Sequence, residues 1–222
     1  MEADAKECPV RRGRPRSFDI DEVTATLEAM LWTGGYRPMS VEDLAEGAGL
    51  SVSSLYAAFG SKQGVLRAAL ARYESDMCAV LVPLEQGNGG LGDVDAFLRR
   101  VSTAIAEAAE PRGCFMVNTM LEAVGNDEIA ALTSAYRGRV EAGLLAALRR
   151  AAEAGEIPRQ GITDRARLLQ AALYGVFIAA RGGQRDAALA GLRSVRREVT
   201  RWGADGSDRR RGPISNKADR GQ

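Results

Sequence analysis

The sequence predicts an all-α protein made of a small N-terminal unit of three helices and a larger C-terminal helical unit. Alanine, leucine, arginine and glutamate dominate the whole chain, and these residues favour helix. No segment alternates β-branched and polar residues between turn signals, as a strand would. Glycine and proline mark the ends of the predicted helices, at Gly34–Gly35, Gly47–Gly49, Gly87–Gly92, Pro111–Gly113 and Gly155–Gly161.

The composition argues against several functional classes. The 222 residues include 30 Lys and Arg, 29 Asp and Glu, and no histidine. Because the usual zinc ligand and the usual general base are missing, we expect no metal, no cofactor and no enzymatic activity. Cys8, Cys78 and Cys114 are too few and too widely spaced for a disulfide framework.

The chain also lacks the signals of a membrane or secreted protein. The longest charge-free, mostly apolar run is Leu168–Ala180, which is shorter than the roughly 20 residues that cross a bilayer. The first residues are polar, acidic and then basic, unlike a signal peptide. We therefore expect a cytoplasmic protein with no membrane partner.

Residues 41–59, VEDLAEGAGLSVSSLYAAF, predict two short helices joined by a tight turn. Ser40 and Asp43 have the spacing of a capping box at the start of the first helix. Gly49 lies where the turn needs a left-handed residue, and Ser51 is placed to cap the second helix. This is the pattern of a helix-turn-helix, whose second helix enters the major groove of DNA. An ordinary corner between two helices has similar spacing and is the alternative.

The second helix, SVSSLYAAF, has no charged side chain. Its apolar residues are predicted to face inward, at Val52, Leu55 and Phe59. Its outward residues are small, at Ser53, Ser54 and Ala57. Such a surface can fit a groove by shape, with weak hydroxyl and methyl contacts to the bases.

The flanking segments supply positive charge. The segment RRGRPRSF, residues 11–18, contains four arginines and no acid, and its Gly-Arg-Pro is predicted to stay extended. A basic arm before a helix-turn-helix is suited to the minor groove or to phosphates, although a solvated charge run or a localisation tag has the same composition. On the other side, Gly60-Ser61-Lys62 opens a helix whose free N–H groups and ammonium can meet a phosphate.

Three segments together resemble the DNA-binding domain of tetracycline-repressor (TetR) family regulators. They are GRPRSF, LEAMLWTGGY and MSVEDLAEGAGLSVSSLYAAFGSKQGVLRAAL, and they cover about residues 13–72. The resemblance implies that Tyr56 and Lys62 contact phosphates and that the outward residues of the second helix meet base edges. Many relatives have a charged or amide residue on this helix, and this chain departs from them there. The predicted DNA contacts are Arg14, Arg16, Ser40, Ser51, Ser53, Ser54, Tyr56, Ala57 and Lys62.

Four parts are predicted along the chain: a basic flexible arm at 1–17, a helix-turn-helix DNA-binding domain at 18–60, a helical ligand-binding and dimerisation domain at 61–203, and a disordered tail at 204–222. In the larger domain we expect a helix from Lys62 to about Leu81. Further helices are expected from Val94 to about Glu110, from Cys114 to Val124 and from Asp127 to Gly155.

The larger domain is predicted to bind a mainly apolar small molecule. The helices that begin near Val94, Cys114, Asp127 and Thr163 contain more large apolar residues than one buried stripe each requires. The stripe that includes Tyr136 is more typical of a core, although some of its members can line a cavity. The predicted ligand-binding residues are Phe97, Val101, Phe115, Asn118, Thr119, Tyr136, Tyr174 and Phe177.

The last two helices predict a homodimer. Thr163 is expected to cap the first of them, and Leu168–Ala180 is apolar nearly all round. Pairing two such helices across a two-fold axis would bury this surface in a four-helix bundle, and the resemblance implies the same interface. Gly175 would permit a close helix approach, or is simply tolerated there. The predicted interface residues are Leu173, Val176, Leu189, Leu192, Val195 and Val199.

The sequence therefore predicts a ligand-responsive transcriptional regulator, most simply a repressor. Its expected partners are a double-stranded DNA operator, a small-molecule effector and a second copy of the chain. One alternative is a thiol or electrophile sensor acting through Cys114 at a helix N-terminus, where a buried structural cysteine is also expected. Another is a ligand-free architectural DNA-binding protein.

Overall fold

The computed structural model describes residues 18–123 and 125–210. This part of the chain forms helices and no strand, which confirms the all-α prediction. Arg14 and Arg16, the rest of the predicted basic arm, and residues 211–222 of the predicted tail lie outside the described residues. The helices are α1 (Ile20–Gly34), α2 (Val41–Gly47), α3 (Val52–Phe59), α4 (Lys62–Gln86), α5 (Leu91–Glu107), α6 (Phe115–Glu122), α7 (Asp127–Glu153), α8 (Ile162–Arg181) and α9 (Arg185–Arg210).

The N-terminal helices form the predicted helix-turn-helix, and local capping fixes their ends. The amide of Asp43 donates to the Ser40 hydroxyl over 3.0 Å, and the amide of Ser40 donates to the Asp43 carboxylate over 2.7 Å. These hydrogen bonds lower the pKa of Asp43. Gly49 has a φ of +66°, the left-handed conformation that the turn requires. Because all these groups lie close together in sequence, this corner is defined by local signals.

One apolar core joins the helix-turn-helix to α6. It contains Leu27 of α1, Leu44 of α2, Leu55 of α3 and Leu66 of α4, together with Phe115 of α6. The predicted domain boundary at residue 60 therefore separates helices that share a core. Short α6, although distant in sequence, contributes to this core and also packs on α7 and α8.

A second core lies among α4, α5, α7, α8 and α9. Its fully buried members include Leu84, Leu98, Leu144, Leu148 and Leu192. Helix α4 spans both cores, since its first half packs on α1 and its second half packs on α7. No helix in the described part of the chain is long and apolar enough to cross a lipid bilayer.

Helix α4 ends at Gln86, beyond its predicted end near Leu81, and it includes Pro83 in its last turn. Proline has no N–H to donate to the carbonyl four residues earlier, that of Ala79. A guanidinium nitrogen of Arg100 donates to this carbonyl instead, over 2.9 Å. Arg150 donates to the carbonyls of Pro83 and Leu84 at the open end of the helix. Side chains from other helices thus replace the missing backbone donors.

Helix α5 runs from Leu91 to Glu107 and not from Val94 to about Glu110, and the start of α8 and the end of α9 also differ from the prediction. Gly161, with a φ of +75°, is the N-cap of α8, and Thr163 lies inside the first turn. Helix α9 continues to Arg210, although the tail was predicted to begin at residue 204. Trp202 is buried and its indole N–H donates to Glu198 over 3.0 Å, which fixes the helix close to the predicted boundary. Beyond that point each further helical residue adds one backbone hydrogen bond, so the helix continues.

Candidate DNA-binding surface and buried cavity

Helix α3 presents a small, uncharged outer surface. Ser53, Tyr56 and Ala57 are exposed, whereas Ser54 is half-buried. Leu55 is fully buried and fixes the helix on the core. The structure therefore places most of the predicted base-reading side chains on one accessible surface.

The serines of this surface are hydrogen-bonded to one another. The Ser51 hydroxyl caps α3 by accepting from the amide of Ser54 over 3.1 Å. It also lies 2.9 Å from the Ser53 hydroxyl and 2.8 Å from that of Ser54. Each hydroxyl has one donor and two acceptor sites, so the cluster keeps hydrogen-bonding capacity for a base edge.

Positive charge at the edge of this surface comes from Lys62. Its ammonium lies 4.5 Å from the centre of the Tyr36 ring. Such a cation–π contact keeps a lysine in place without neutralising it.

The exposed Ser40 hydroxyl accepts its capping bond and retains a proton to donate. The predicted list omitted Tyr36, which the sequence marked through its Gly-Tyr pair.

A cavity of about 700 Å³ lies between the two cores, beneath the loop that joins α5 to α6. Its wall is mostly apolar. Five of the predicted ligand-binding residues line it: Phe97, Val101, Tyr136, Tyr174 and Phe177.

The other three predicted ligand-binding residues, Phe115, Asn118 and Thr119, do not line the cavity. Phe115 packs against the rings of Trp32 and Tyr73. Asn118 is buried and donates to the carbonyl of Arg112 over 2.7 Å, and Thr119 is buried as well. The reason is the orientation of α6: Phe115 lies in the N-terminal core, and the cavity receives Met116, Val117 and Met120 from the same helix.

The wall of the cavity includes the hydroxyl and thiol groups of Tyr73, Cys114, Tyr136 and Tyr174. The Tyr73 hydroxyl donates to the Cys114 sulfur over 3.2 Å. Burial raises the pKa of both groups and also those of Tyr136 and Tyr174. The Tyr174 hydroxyl is buried with no hydrogen-bond partner among the described residues. At neutral pH these hydroxyls and the thiol are therefore protonated.

Cys114 occupies the N-cap of α6, as the thiol-sensor alternative required. It is nevertheless buried, and the cost of desolvating a thiolate raises its pKa despite hydrogen bonds from Tyr73 and from the amides of Val117 and Met116. The thiol-sensor alternative therefore has no support from a lowered pKa, although Cys114 lines the cavity.

The DNA-binding unit itself contributes to the cavity wall. Trp32 of α1 lines the cavity, and its indole N–H donates to the carbonyl of Arg112 over 3.2 Å. The guanidinium of Arg112 lies 5.3 Å from the Trp32 ring centre. Sequence reasoning missed both residues, because nothing local indicates a contact between positions 80 residues apart.

A second contact joins α6 to the turn before the helix-turn-helix. The Glu122 carboxylate accepts from the amides of Tyr36 and Arg37, each over 2.8 Å. The Arg37 guanidinium donates back to the Glu122 carbonyl over 3.1 Å. We call this pairing of Glu122 with residues 36 and 37 the α6 clamp. No sequence signal marked it.

Helix α8 has an exposed apolar face away from both cores. Leu168 is 57% exposed and Ile178 is 51% exposed, and Ala171 and Gly175 lie between them. A side chain built at Gly175 would meet no atom within 4 Å. Within the described structure nothing covers this face.

Most of the predicted interface residues lie elsewhere. Leu173, Val176, Leu192 and Val199 are buried inside the protomer, and Leu189 and Val195 pack partly buried against the same core. Periodicity alone does not separate the two stripes, because the stripe that packs on α5 and α7 is as apolar as the outward one.

The fold and these features define a helix-turn-helix protein whose cavity lies between its two cores. Residues 24–69 match the family described as bacterial regulatory proteins, tetR family. The chain is 30% identical over 192 residues to the HTH-type transcriptional repressor ComR of Escherichia coli, across 82% of this chain and 90% of ComR. It is 26% identical over 147 residues to the uncharacterized HTH-type transcriptional regulator YezE of Bacillus subtilis, across 65% of this chain and 76% of YezE.

Solved structures of TetR family regulators have the same fold. A cysteine mutant of the TetR family transcriptional regulator CifR, complexed with 26-bp double-strand operator DNA, has a TM-score of 0.73 at 27% identity. That match covers 83% of this chain and 98% of the CifR chain. The regulatory protein TetR from Rhodobacter sphaeroides has the same fold, with a TM-score of 0.71 at 19% identity over 80% of this chain and 96% of its own. The chain belongs to the TetR family and is a transcriptional regulator.

Proposed function

We propose that the protein is a homodimeric repressor that binds a double-stranded DNA operator and releases it when a small, mainly apolar effector enters the cavity. One observation supports this most directly: the wall of the 700 Å³ cavity includes Trp32, a residue of the DNA-binding unit. A molecule in this cavity therefore contacts both parts of the protein.

The DNA contacts in this proposal come from the outer surface of α3 and its edge. Ser53, Ser54 and Ala57 meet base edges, and Tyr56 and Lys62 meet phosphates. The support is the exposed, uncharged surface described above and the similarity to CifR, whose structure contains operator DNA. Because α3 supplies no charge, Lys62 and the arginines at 14 and 16 provide the electrostatic part of the affinity.

Dimerisation uses the exposed face of α8. Pairing this face with its copy buries Leu168 and Ile178, and the small residues between them allow the helices to approach closely. A two-fold dimer presents two copies of α3 at a fixed spacing, which matches a pseudo-palindromic operator.

The α6 clamp gives the effector a route to the DNA-binding surface. Met116 and Met120 of α6 line the cavity, and Glu122 at the end of the same helix binds the turn at Tyr36. The Tyr36 ring in turn contacts Lys62. An effector that prefers a shifted α6 therefore disturbs the spacing of the two α3 helices, and a hundredfold loss of operator affinity needs about 2.7 kcal/mol of coupling.

Selection of genomic DNA fragments by the purified protein, followed by sequencing, tests the proposal. We expect a pseudo-palindromic site whose half-site centres lie about one helical turn apart or slightly more. A compound that releases this site should bind more weakly when operator is present, by the same factor by which it weakens operator binding. No enriched site, or equal affinity for the compound with and without operator, would contradict it.

A further inference from the structure

We propose that the effector has an anionic head, a carboxylate, on an apolar body, and that Arg112 binds this head. The inference rests on the proposed function and specifies the class of effector. It follows from the surroundings of a single guanidinium in the cavity wall.

Arg112 is held in place but its guanidinium is not paired. Its carbonyl accepts from Trp32 and from Asn118, over 3.2 and 2.7 Å, which fixes the backbone of the loop. The guanidinium stacks on the Trp32 ring, and its Nε is buried with no hydrogen-bond partner. Among the described residues Arg112 forms no ion pair. A partly buried cation without a counterion is costly, and a ligand anion removes that cost.

The other three arginines that line the cavity all have hydrogen-bonding or ion-pair partners. Arg100 and Arg185 donate to main-chain carbonyls, those of α4 and of the loop after α5. Arg137 forms an ion pair with Glu141 over 3.4 Å. Among the four arginines that line the cavity in the described part of the chain, Arg112 alone has a buried guanidinium nitrogen without a hydrogen-bond partner.

No nearby carboxylate of the described residues forms an ion pair with the Arg112 guanidinium. Glu28 is close enough for Arg112 to lower its pKa, but its carboxylate is paired with Arg72 over 3.3 Å and burial raises that pKa overall. The acids of the cavity mouth are exposed to solvent, and exposed charges are strongly screened. They are Glu107, Glu110 and Asp186.

A carboxylate matches this site in shape and charge. The planar guanidinium can donate two parallel hydrogen bonds to the two oxygens of a carboxylate. The apolar body of the ligand would then lie against Phe97, Val101 and Phe177. Because Arg112 stacks on Trp32 of α1, the head group binds at the junction with the DNA-binding unit.

Calorimetric titration of the full-length protein with octanoate, 2-nonanone and octylamine tests the inference. These probes share an eight-carbon or nine-carbon chain and differ in the charge of the head. We expect octanoate to bind at least about tenfold more tightly than either other probe, since a charge-assisted hydrogen bond contributes about 1.5–3 kcal/mol. Arg112→Met should remove this advantage and leave 2-nonanone unchanged, and Arg112→Lys should retain part of it.

Arg197→Met is the matched control, because it removes an exposed arginine that does not line the cavity and should leave octanoate binding intact. Thermal melting shows whether each variant is folded. If Arg112→Met does not fold, Arg112→Lys tests whether octanoate binding depends on the guanidinium. Unchanged octanoate affinity in Arg112→Met would overturn the inference, as would tighter binding of octylamine. Absence of binding by all three probes would overturn it too. Selection of operator DNA is independent of this result, so the two proposals fail separately.

Discussion

Lys62 is held at the edge of the DNA-binding surface by contacts that leave its charge free. It begins α4, one residue after the N-cap Ser61, whose hydroxyl accepts from the amide of Gly64 over 3.0 Å. Its ammonium contacts the face of Tyr36, which carries no charge. Together with the helix N-terminus, the side chain forms a site suited to a phosphate.

We expect Lys62→Ala to weaken binding to all DNA sequences alike, because a phosphate contact carries no sequence information. Two copies in a dimer should flatten the slope of log affinity against log salt by about 1.8. Fluorescence anisotropy across a salt series measures this slope, and Lys62→Arg, which retains the charge, is the control. A slope equal to that of the wild type would remove Lys62 from the DNA contacts.

At the scale of single elements, α6 is unusual because it contacts both the N-terminal core and the cavity. One side packs in the N-terminal core through Phe115, and another lines the cavity through Met116 and Met120. Its C-terminal residue, Glu122, forms the α6 clamp. Because α6 borders the cavity and also holds the turn at Tyr36, it is the element through which an effector can alter the DNA-binding unit.

Glu122→Ala should open the clamp and lower operator affinity in the absence of any effector by about tenfold, the loss expected for hydrogen bonds to one charged group. Hydrogen exchange should show faster exchange at the amides of Tyr36 and Arg37. Glu128→Ala is a matched control, because Glu128 also binds another element, through Arg67 of α4 over 3.0 Å. The same operator affinity in Glu122→Ala and in the wild type would mean that the clamp does not support DNA binding.

For the whole molecule, sequence reasoning succeeded where the signals were local. The capping box of Ser40 and the turn at Gly49 lie within a few residues of each other, and both are present in the structure. The contacts that join the two parts are not local. Trp32 and Arg112 are 80 residues apart, and Arg37 and Glu122 are 85 apart, so no periodicity could indicate them.

The exposed and buried apolar stripes of the last two helices show a second limit of prediction from sequence. Periodicity identifies an apolar stripe but not the surface against which it packs. Leu192 was predicted at the dimer interface and is fully buried in its own protomer, whereas Leu168 was not selected and is 57% exposed. Only the packing of α8 and α9 on α5 and α7 distinguishes these residues.

This distinction leads to a prediction for the dimer. Leu168→Glu should leave helix content and melting temperature close to those of the wild type, because the side chain is exposed in the protomer. In the dimer it would place a charge in a desolvated interface, which costs several kcal/mol, so we expect a monomer with much weaker operator binding. Sedimentation equilibrium and circular dichroism measure the two effects.

Leu192→Glu is the contrasting control, since it buries an unpaired charge in the core and should reduce helix content and melting temperature together. The two substitutions introduce the same side chain on neighbouring helices, so any difference between them arises from the surface that each residue faces. A Leu168→Glu protein that still sediments as a dimer would place the interface on another surface, and the spacing of the two α3 helices would then have to be derived from that surface.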